Sequence, residues 1–196
     1  PPLSLYVHLP WCVEKCPYCD FNSHGLKGQE VPEQVYVDLL LKDLEAELPL
    51  IWGRPIETIF IGGGTPSLFS PAALDRLLSG LRALLDLRYT REITLEANPG
   101  TDVAKNLPAL RDIGINRLSV GVQSFNDAQL TRLGRIHSAR QARQTIEAAQ
   151  HAGFERINID LMHGLPGQTL QMAMDDLAIA MQSGVRHISW YQLTLE

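Results

Sequence analysis

Short runs rich in β-branched and aliphatic residues alternate along the chain with longer amphipathic stretches, an alternation that predicts parallel βαβ units. Six strands are expected, over 3–9, 57–61, 92–97, 117–122, 156–161 and 187–195. The clearest helices between them are expected over 32–47, 71–84, 103–113, 139–152 and 170–183. Local chemistry marks the boundaries. Ser70 before Pro71 reads as an N-cap with proline at the first helical position. Gly114, Gly153 and Gly184 each follow a helix, where a left-handed residue is cheapest as glycine.

Right-handed crossovers between parallel strands build either an open doubly wound sheet or a curved barrel, and the strand ends choose between them. Each expected strand starts apolar and finishes at polar or glycine-rich residues. Cys12 comes soon after the first and Gly62-Gly63-Gly64-Thr65 after the second, followed by Glu96 and Asn98 at the third. Gln123 and Ser124 follow the fourth, Asp160 and His163 the fifth, and Gln192, Thr194 and Glu196 the sixth. Six polar rims on one face resemble the mouth of a β/α barrel, whose sites lie at the C-terminal ends of the strands. Six strands are too few to close the eight-stranded version. The expected fold is therefore α/β, a partial (β/α)6 TIM-like barrel open on one side.

At 196 residues, 45% hydrophobic and 20% charged, the chain suits one globular domain spanning 1–196. A net charge of -5 argues against a phosphate-tracking surface, so no nucleic-acid partner is expected. No apolar run approaches the roughly 18 residues of a membrane span and no leader precedes the first element. A soluble cytoplasmic protein is expected. The chain opens at Pro1 without an initiator methionine, so it is expected to belong to a longer protein with a further C-terminal domain.

The chemistry concentrates at the front of the chain. Cys12, Cys16 and Cys19 fall within eight residues and are the only cysteines. An odd count in one loop fits metal or redox chemistry better than a disulfide framework. A [4Fe-4S] cluster normally takes four thiolates, so three leave one iron open to a small chelating molecule. A zinc site is the rival, because Cys16-x-x-Cys19 followed by His24, with Cys12, supplies a tetrahedral Cys3His set. Three free thiols packed as small hydrophobes are the plainest reading.

Two of these runs together carry a resemblance. A C-x3-C-x2-C loop after the first strand and Gly62-Gly63-Gly64-Thr65-Pro66 after the second resemble the radical S-adenosylmethionine (SAM) superfamily. The resemblance implies that Cys12, Cys16 and Cys19 hold a [4Fe-4S] cluster. It further implies that the amino and carboxylate groups of SAM chelate the open iron, and that one electron then splits the sulfonium to a 5′-deoxyadenosyl radical. Consecutive glycines suit close backbone approach to such a ligand, although a tight turn needing positive φ would explain one or two of them. The run lacks dinucleotide-binding and Walker spacing.

Within the superfamily, Tyr6-Val7-His8-Leu9-Pro10-Trp11-Cys12, Gly121-Val122-Gln123-Ser124-Phe125 and the run from Ile159 to Gly167 resemble the subgroup of oxygen-independent coproporphyrinogen III oxidases and HemW-type haem chaperones. The family pattern puts Tyr6, Gly63, Gly64, Thr65, Glu96, Gln123, Arg135 and Asp160 around SAM, with Tyr18 toward its adenine. Arg135 suits a carboxylate through its planar fork. Glu96, Gln123 and Asp160 suit ribose hydroxyls and the cationic end of the cofactor, whereas a carboxylate at a strand end can also be merely solvated or paired. His8 reads as a hydrogen-bonded core residue, and His163 as a residue of the mouth. Met162, Met172, Met174 and Met181 read as packing. Trp190 and Tyr191 alternate on the last strand, so one faces the barrel interior and the other the helices.

The oxidase pattern carries a fourth cysteine where this chain has Phe21, and an N-terminal segment reaching into the site, whereas only a few residues precede the first expected strand here. The run from Cys16 to Ser23 instead resembles the haem chaperones, which implies binding of haem and its delivery to respiratory enzymes. The oxidase reading, with a porphyrinogen substrate, stands second and the zinc-stabilised domain third. The first two imply a low-potential electron donor, and the chaperone reading adds haem-acceptor clients through which the protein would contact a membrane peripherally.

Overall fold

The computed structural model of the chain describes residues 2–194. The elements are β1 (Leu3–Leu9), β2 (Trp11–Cys12), β3 (His24–Gly25), α1 (Glu33–Ile51), β4 (Ile56–Gly63), a 3-10 turn at Pro66–Leu68, α2 (Pro71–Leu84), β5 (Glu92–Ala97), α3 (Thr101–Asp112), β6 (Arg117–Gln123), α4 (Asp127–Arg132), α5 (Ala139–His151), β7 (Arg156–His163), α6 (Leu170–Gln182) and β8 (His187–Gln192). The six long strands form one parallel sheet in the order β1-β4-β5-β6-β7-β8. Sequence order and spatial order coincide, the order of a β/α barrel wall and not of a doubly wound sheet. β1 and β8 are edge strands, so the wall is the partial barrel that the strand count implies.

Local signals act as expected where they are strong. Ser70 accepts a hydrogen bond from the Ala73 amide and caps α2 ahead of Pro71. Gly114, Gly153 and Gly184 take φ of 109°, 84° and 79° at the helix exits. The strand ends differ from those expected. β4 continues through Gly62 and Gly63, which pair with His8 and Leu9, so these glycines belong to the strand rather than to a following turn. β6 and β7 run on to Gln123 and His163, whereas β8 stops at Gln192. Leu195, expected as the last strand residue, and Glu196 lie outside the described residues.

The sheet has two chemically distinct faces. Leu9, Ile59, Ile61, Leu95, Leu118, Val120, Ile157 and Ile159 point to the helices and form one core with Leu74, Leu77, Leu107, Ile146 and Phe154. Each such side chain contributes about 1.5–3 kcal/mol when fully buried. The alternate residues line the lumen and, apart from Phe60 and Met162 toward the mouth, are mostly polar. Arg117 Nη1 donates to Thr94 Oγ1 at 3.3 Å and Thr58 Oγ1 to Ser4 Oγ at 2.9 Å. Glu92 pairs with Arg156 at 3.4 Å and with Arg117 at 4.0 Å at the N-terminal end of the strands. A closed eight-stranded barrel fills this volume with branched aliphatic side chains. Here short polar groups stand in their place, and the wall is open between β1 and β8.

The mouth is held to the wall at one tight crossing. The Gly64 amide donates to Leu9 O at 2.9 Å and the Thr65 amide to Trp11 O at 2.7 Å. A Cβ on Gly64 would lie 2.6 Å from Trp11 O and 2.7 Å from the Pro10 carbonyl carbon, both rigid backbone atoms. Gly64→Ala is therefore expected to destabilise the protein by about 1–3 kcal/mol, the usual cost of overpacking. Urea denaturation checks this; an unchanged midpoint would mean that the crossing is looser than these distances imply.

Candidate functional site

The cysteine loop leaves β1 at Pro10 and folds back over the strand ends. β2 and β3 clasp its two limbs, with the His24 amide donating to Pro10 O at 2.7 Å and the Leu26 amide to Cys12 O at 2.9 Å. Inside the clasp the Cys19 amide donates to Cys16 O at 3.1 Å, closing a turn between the second and third cysteines. Cys12 is buried, while Cys16 and Cys19 are half-buried. All three are free thiols.

Among the described residues, no three His, Cys, Asp or Glu side chains converge closely enough to enclose a single metal ion. The tetrahedral set of Cys12, Cys16, Cys19 and His24 is thus not assembled, which corrects the zinc alternative. A zinc ion needs every ligand within about 2.0–2.3 Å of one point. A four-iron cubane gives each thiolate its own iron, so its donors are spread over a larger body. Three soft thiolates on one loop, with no fourth protein thiol in the chain, suit that donor chemistry.

Opposite the loop, the strand ends present the polar residues singled out from the sequence. The Gly63 amide donates to Glu96 Oε2 at 3.0 Å. Gly63 has φ of +124°, and a Cβ there would meet His8 Nδ1 at 2.8 Å and Leu9 O at 2.9 Å. These glycines are therefore required by contacts within the protein, whatever ligand approaches them. Burial pushes the Glu96 carboxyl up to about 7, opposed by the Gly63 hydrogen bond and reinforced by the nearby Asp160 charge. Asp160 is also raised by burial, but it accepts from Ser119 Oγ at 3.1 Å and Asn158 Nδ2 at 2.8 Å, and the Arg117 charge offsets part of the effect. Two desolvated carboxylates facing one mouth form a site suited to a cation.

Arg135 joins the two halves. Its Nη1 donates to Cys16 Sγ at 3.5 Å, and its Nη2 donates to Asn98 Oδ1 and Gly121 O, both at 2.7 Å. Asn98 is itself oriented by donating Nδ2 to Thr65 Oγ1 at 2.9 Å. Gln123 sits where β6 slips register against β7 and takes φ of +68°, a left-handed geometry uncommon outside glycine that turns the chain at the rim. Next to it, the His137 ring donates from Nε2 to Val122 O at 3.1 Å; burial and the Arg135 charge lower its pKa to about 4, so it remains neutral.

Tyr18, expected toward the adenine, packs with Leu133, Met162 and Leu165 at the mouth. Its hydroxyl pKa is pushed up to about 12, first by burial, with Arg135 opposing and Cys16 adding to the shift. Tyr6 lies on β1 at the open side, 56% exposed, stacked on Phe60 and donating from its hydroxyl to His8 Nδ1 at 2.9 Å. His8 donates in turn from Nε2 to Asn22 O at 2.8 Å, so it is hydrogen-bonded as expected. It is, however, half-buried on the inner face of β1 rather than a core residue, because β1 turns Val7 and Leu9 to the helices. Sheet register separates the last pair. Ser189 lies beside Asp160 and its hydroxyl donates to Asn158 Oδ1 at 3.1 Å, which puts Tyr191 on the lumen side and Trp190 on the helix side. His163 meets the Trp190 ring at a 4.8 Å centroid distance, so it belongs to the outer layer rather than the lumen.

From the sequence Asn98 is only a rim residue, and Ser119, Asn158 and Ser189 do not stand out. A signal for them exists: Glu92-x-Thr94-x-Glu96, Arg117-x-Ser119 and Arg156-x-Asn158-x-Asp160 are polar at every second position of strands whose other face is aliphatic.

Comparison with known proteins agrees with this geometry. Residues 6–179 match the radical SAM superfamily. Over 196 residues the chain is 54% identical to the heme chaperone HemW of Escherichia coli strain K12, covering all of this chain and 52% of that protein. It is 53% identical over 200 residues to the heme chaperone HemW of Haemophilus influenzae, again covering 52% of the relative. The solved structure of coproporphyrinogen III oxidase (HemN) from Escherichia coli, described as a radical SAM enzyme, matches with a TM-score of 0.89 at 32% identity, over 98% of this chain and 44% of that one. The chain thus spans about half the length of the curated relatives it matches. The family match runs from the first strand of the wall into its last helix, and the chain belongs to the radical SAM superfamily.

Proposed function

We propose that this chain is the single cluster-binding and SAM-binding core of a HemW-type haem chaperone. The observation that carries the reading is identity of 54% along the whole chain with a protein of that name, in a chain whose cysteine loop has Phe21, 61% exposed, where the oxidase pattern places a fourth cysteine. Cys12, Cys16 and Cys19 would hold three irons of a [4Fe-4S] cluster. When bound, the cluster and SAM together supply one-electron reductive chemistry at the sulfonium. The residues of this chain bind and orient. Glu96 and Asp160 favour the cationic end of SAM, while Thr65 and Gln123 offer hydrogen-bonding groups at the rim. Arg135 braces the loop against β5 and β6, and Tyr6 and Tyr18 border the mouth. Haem, haem-acceptor clients and a low-potential electron donor belong to the whole protein and follow from the same resemblance. So does peripheral contact with a membrane through those clients; among the described residues no helix is long and apolar enough to cross one.

A second reading, oxygen-independent coproporphyrinogen III oxidation, is favoured by the structural match to the oxidase. Full-length protein, reconstituted anaerobically and supplied with SAM and a reductant, distinguishes the two. The chaperone reading expects stable haem binding and no decarboxylation; formation of a divinyl product from coproporphyrinogen III would overturn it. Replacing Cys12, Cys16 or Cys19 singly by Ala is expected to remove most of the iron and sulfide, read by metal and sulfide analysis. Reduced wild-type protein is expected to show an electron paramagnetic resonance signal that shifts when SAM is added.

Glu96 makes a separate prediction. A carboxyl whose folded value is raised to about 7 contributes stability below its unfolded value near 4.5, and that contribution is lost as pH rises through 7. Without ligand, Glu96→Gln is expected to match wild type near pH 5 and to be more stable at pH 8, on the order of 2 kcal/mol. Urea midpoints at the two pH values test this. Parallel pH profiles for the two proteins would remove Glu96 as the buried anion of the site.

A further inference from the structure

The guanidinium of Arg135 stands in a position that carboxylate binding alone does not explain. Both hydrogens of Nη2 are engaged, one by Asn98 Oδ1 and one by Gly121 O, each at 2.7 Å, while Nη1 donates to Cys16 Sγ at 3.5 Å. The two oxygen acceptors are themselves constrained. Asn98 is oriented through Thr65 Oγ1, and Gly121 is a strand residue paired with Asp160. A Cβ at Gly121 would lie 2.9 Å from Asn98 Oδ1 and 3.5 Å from Arg135 Nη2, so the lack of a side chain there makes room for the bridge. Arg135 and Cys16 also share the wall of a cavity of about 210 Å³, lined in addition by Thr65, Asn98, Val13 and Ile136. Two fixed oxygen acceptors thus aim a permanent positive charge at one thiol of the loop, across 119 residues of sequence.

We propose that Arg135 is a positioning residue for the iron–sulfur cluster: held by Asn98 and Gly121, it donates to Cys16 Sγ and raises the reduction potential of the cluster that this thiol helps to hold. The physical reason is the charge change on reduction. The cluster gains one electron from a low-potential one-electron donor and no bond breaks, so the reduced unit is the more negative of the two states. A donor and a cation fixed at a ligand sulfur stabilise that state preferentially. Because the guanidinium is already immobilised, little ordering cost falls on the reduction step. The inference rests on the assignment of Cys16 as a cluster ligand.

The test is a redox titration of full-length wild type, Arg135→Met, Arg135→Lys and Asn98→Ala. Each is reconstituted anaerobically and followed by electron paramagnetic resonance without SAM, with dithionite as reductant. Arg135→Met is expected to lower the ratio of reduced to oxidised cluster about tenfold at the wild-type midpoint, which is about 59 mV for a one-electron couple. Arg135→Lys keeps the charge but cannot reach three acceptors at once, and Asn98→Ala loosens the guanidinium; both are expected to shift the midpoint the same way by less. Iron and sulfide content is measured on every sample. Unchanged midpoints, with SAM affinity alone reduced, would make Arg135 an anchor for the ligand's carboxylate and overturn the proposal. Should Arg135→Met fail to load, unchanged midpoints in the other two variants have the same force. Wild-type protein that takes up no iron and sulfide would instead overturn the assignment of the cluster itself.

Discussion

The site depends on the crossing of two backbones. β4 ends beneath the segment that leads from β1 into the cysteine loop, and the Gly64 and Thr65 amides donate to Leu9 O and Trp11 O there. The chains approach so closely that a single methyl group on Gly64 would collide with rigid backbone. Everything above the barrel is positioned by that contact. It seats the loop over the strand ends, and the β2–β3 clasp, the Cys16–Cys19 turn and the arginine bridge then fix the loop's shape.

Below the loop, the wall separates two kinds of energy. Its outer face is an aliphatic core buried against helices and supplies the stability. Its inner face carries hydroxyls, amides and carboxylates, with two of the carboxylates held above their usual range by burial. Partial desolvation of an anion costs free energy in the empty protein and is relieved when a cation arrives. The open lumen is thus a region where stability has been given up for binding, and the outer core is large enough to tolerate that. The lateral opening serves the same end, because edge strands β1 and β8 leave a gap flanked by the half-exposed Tyr6 and Tyr191.

Much of this architecture is legible in neighbouring residues. Ser70-Pro71 and the glycines at 114, 153 and 184 are local chemistry, decided by a few dihedrals and one or two hydrogen bonds, and they fall where the sequence pattern puts them. α4 escapes the pattern because six residues are too few to display helical periodicity; its Asn126 cap is visible only once the chain direction there is known. The two-residue strands around the cysteine loop have no periodicity at all, since they exist only because the limbs of the loop meet. The glycines at 62 and 63 have the composition of a turn, yet they continue the strand, because hydrogen-bond register with His8 and Leu9 extends β4 beyond its apolar run.

The amino-acid sequence by itself determined the alternation of strands and helices, the count of six, the polar ends of the strands and the three thiols of one loop, because each of these is written in residues close together in the chain. What only the tertiary structure decided is which distant groups share a charge or a hydrogen bond. Arg135 reaching Cys16, Glu96 taking the Gly63 amide, and Trp190 separated from Tyr191 across the sheet all depend on register between strands far apart in the chain. A side-chain period of two lets a one-residue slip reverse every such assignment. Pattern along one strand indicates two faces, and only pairing with its neighbours shows which face looks into the barrel.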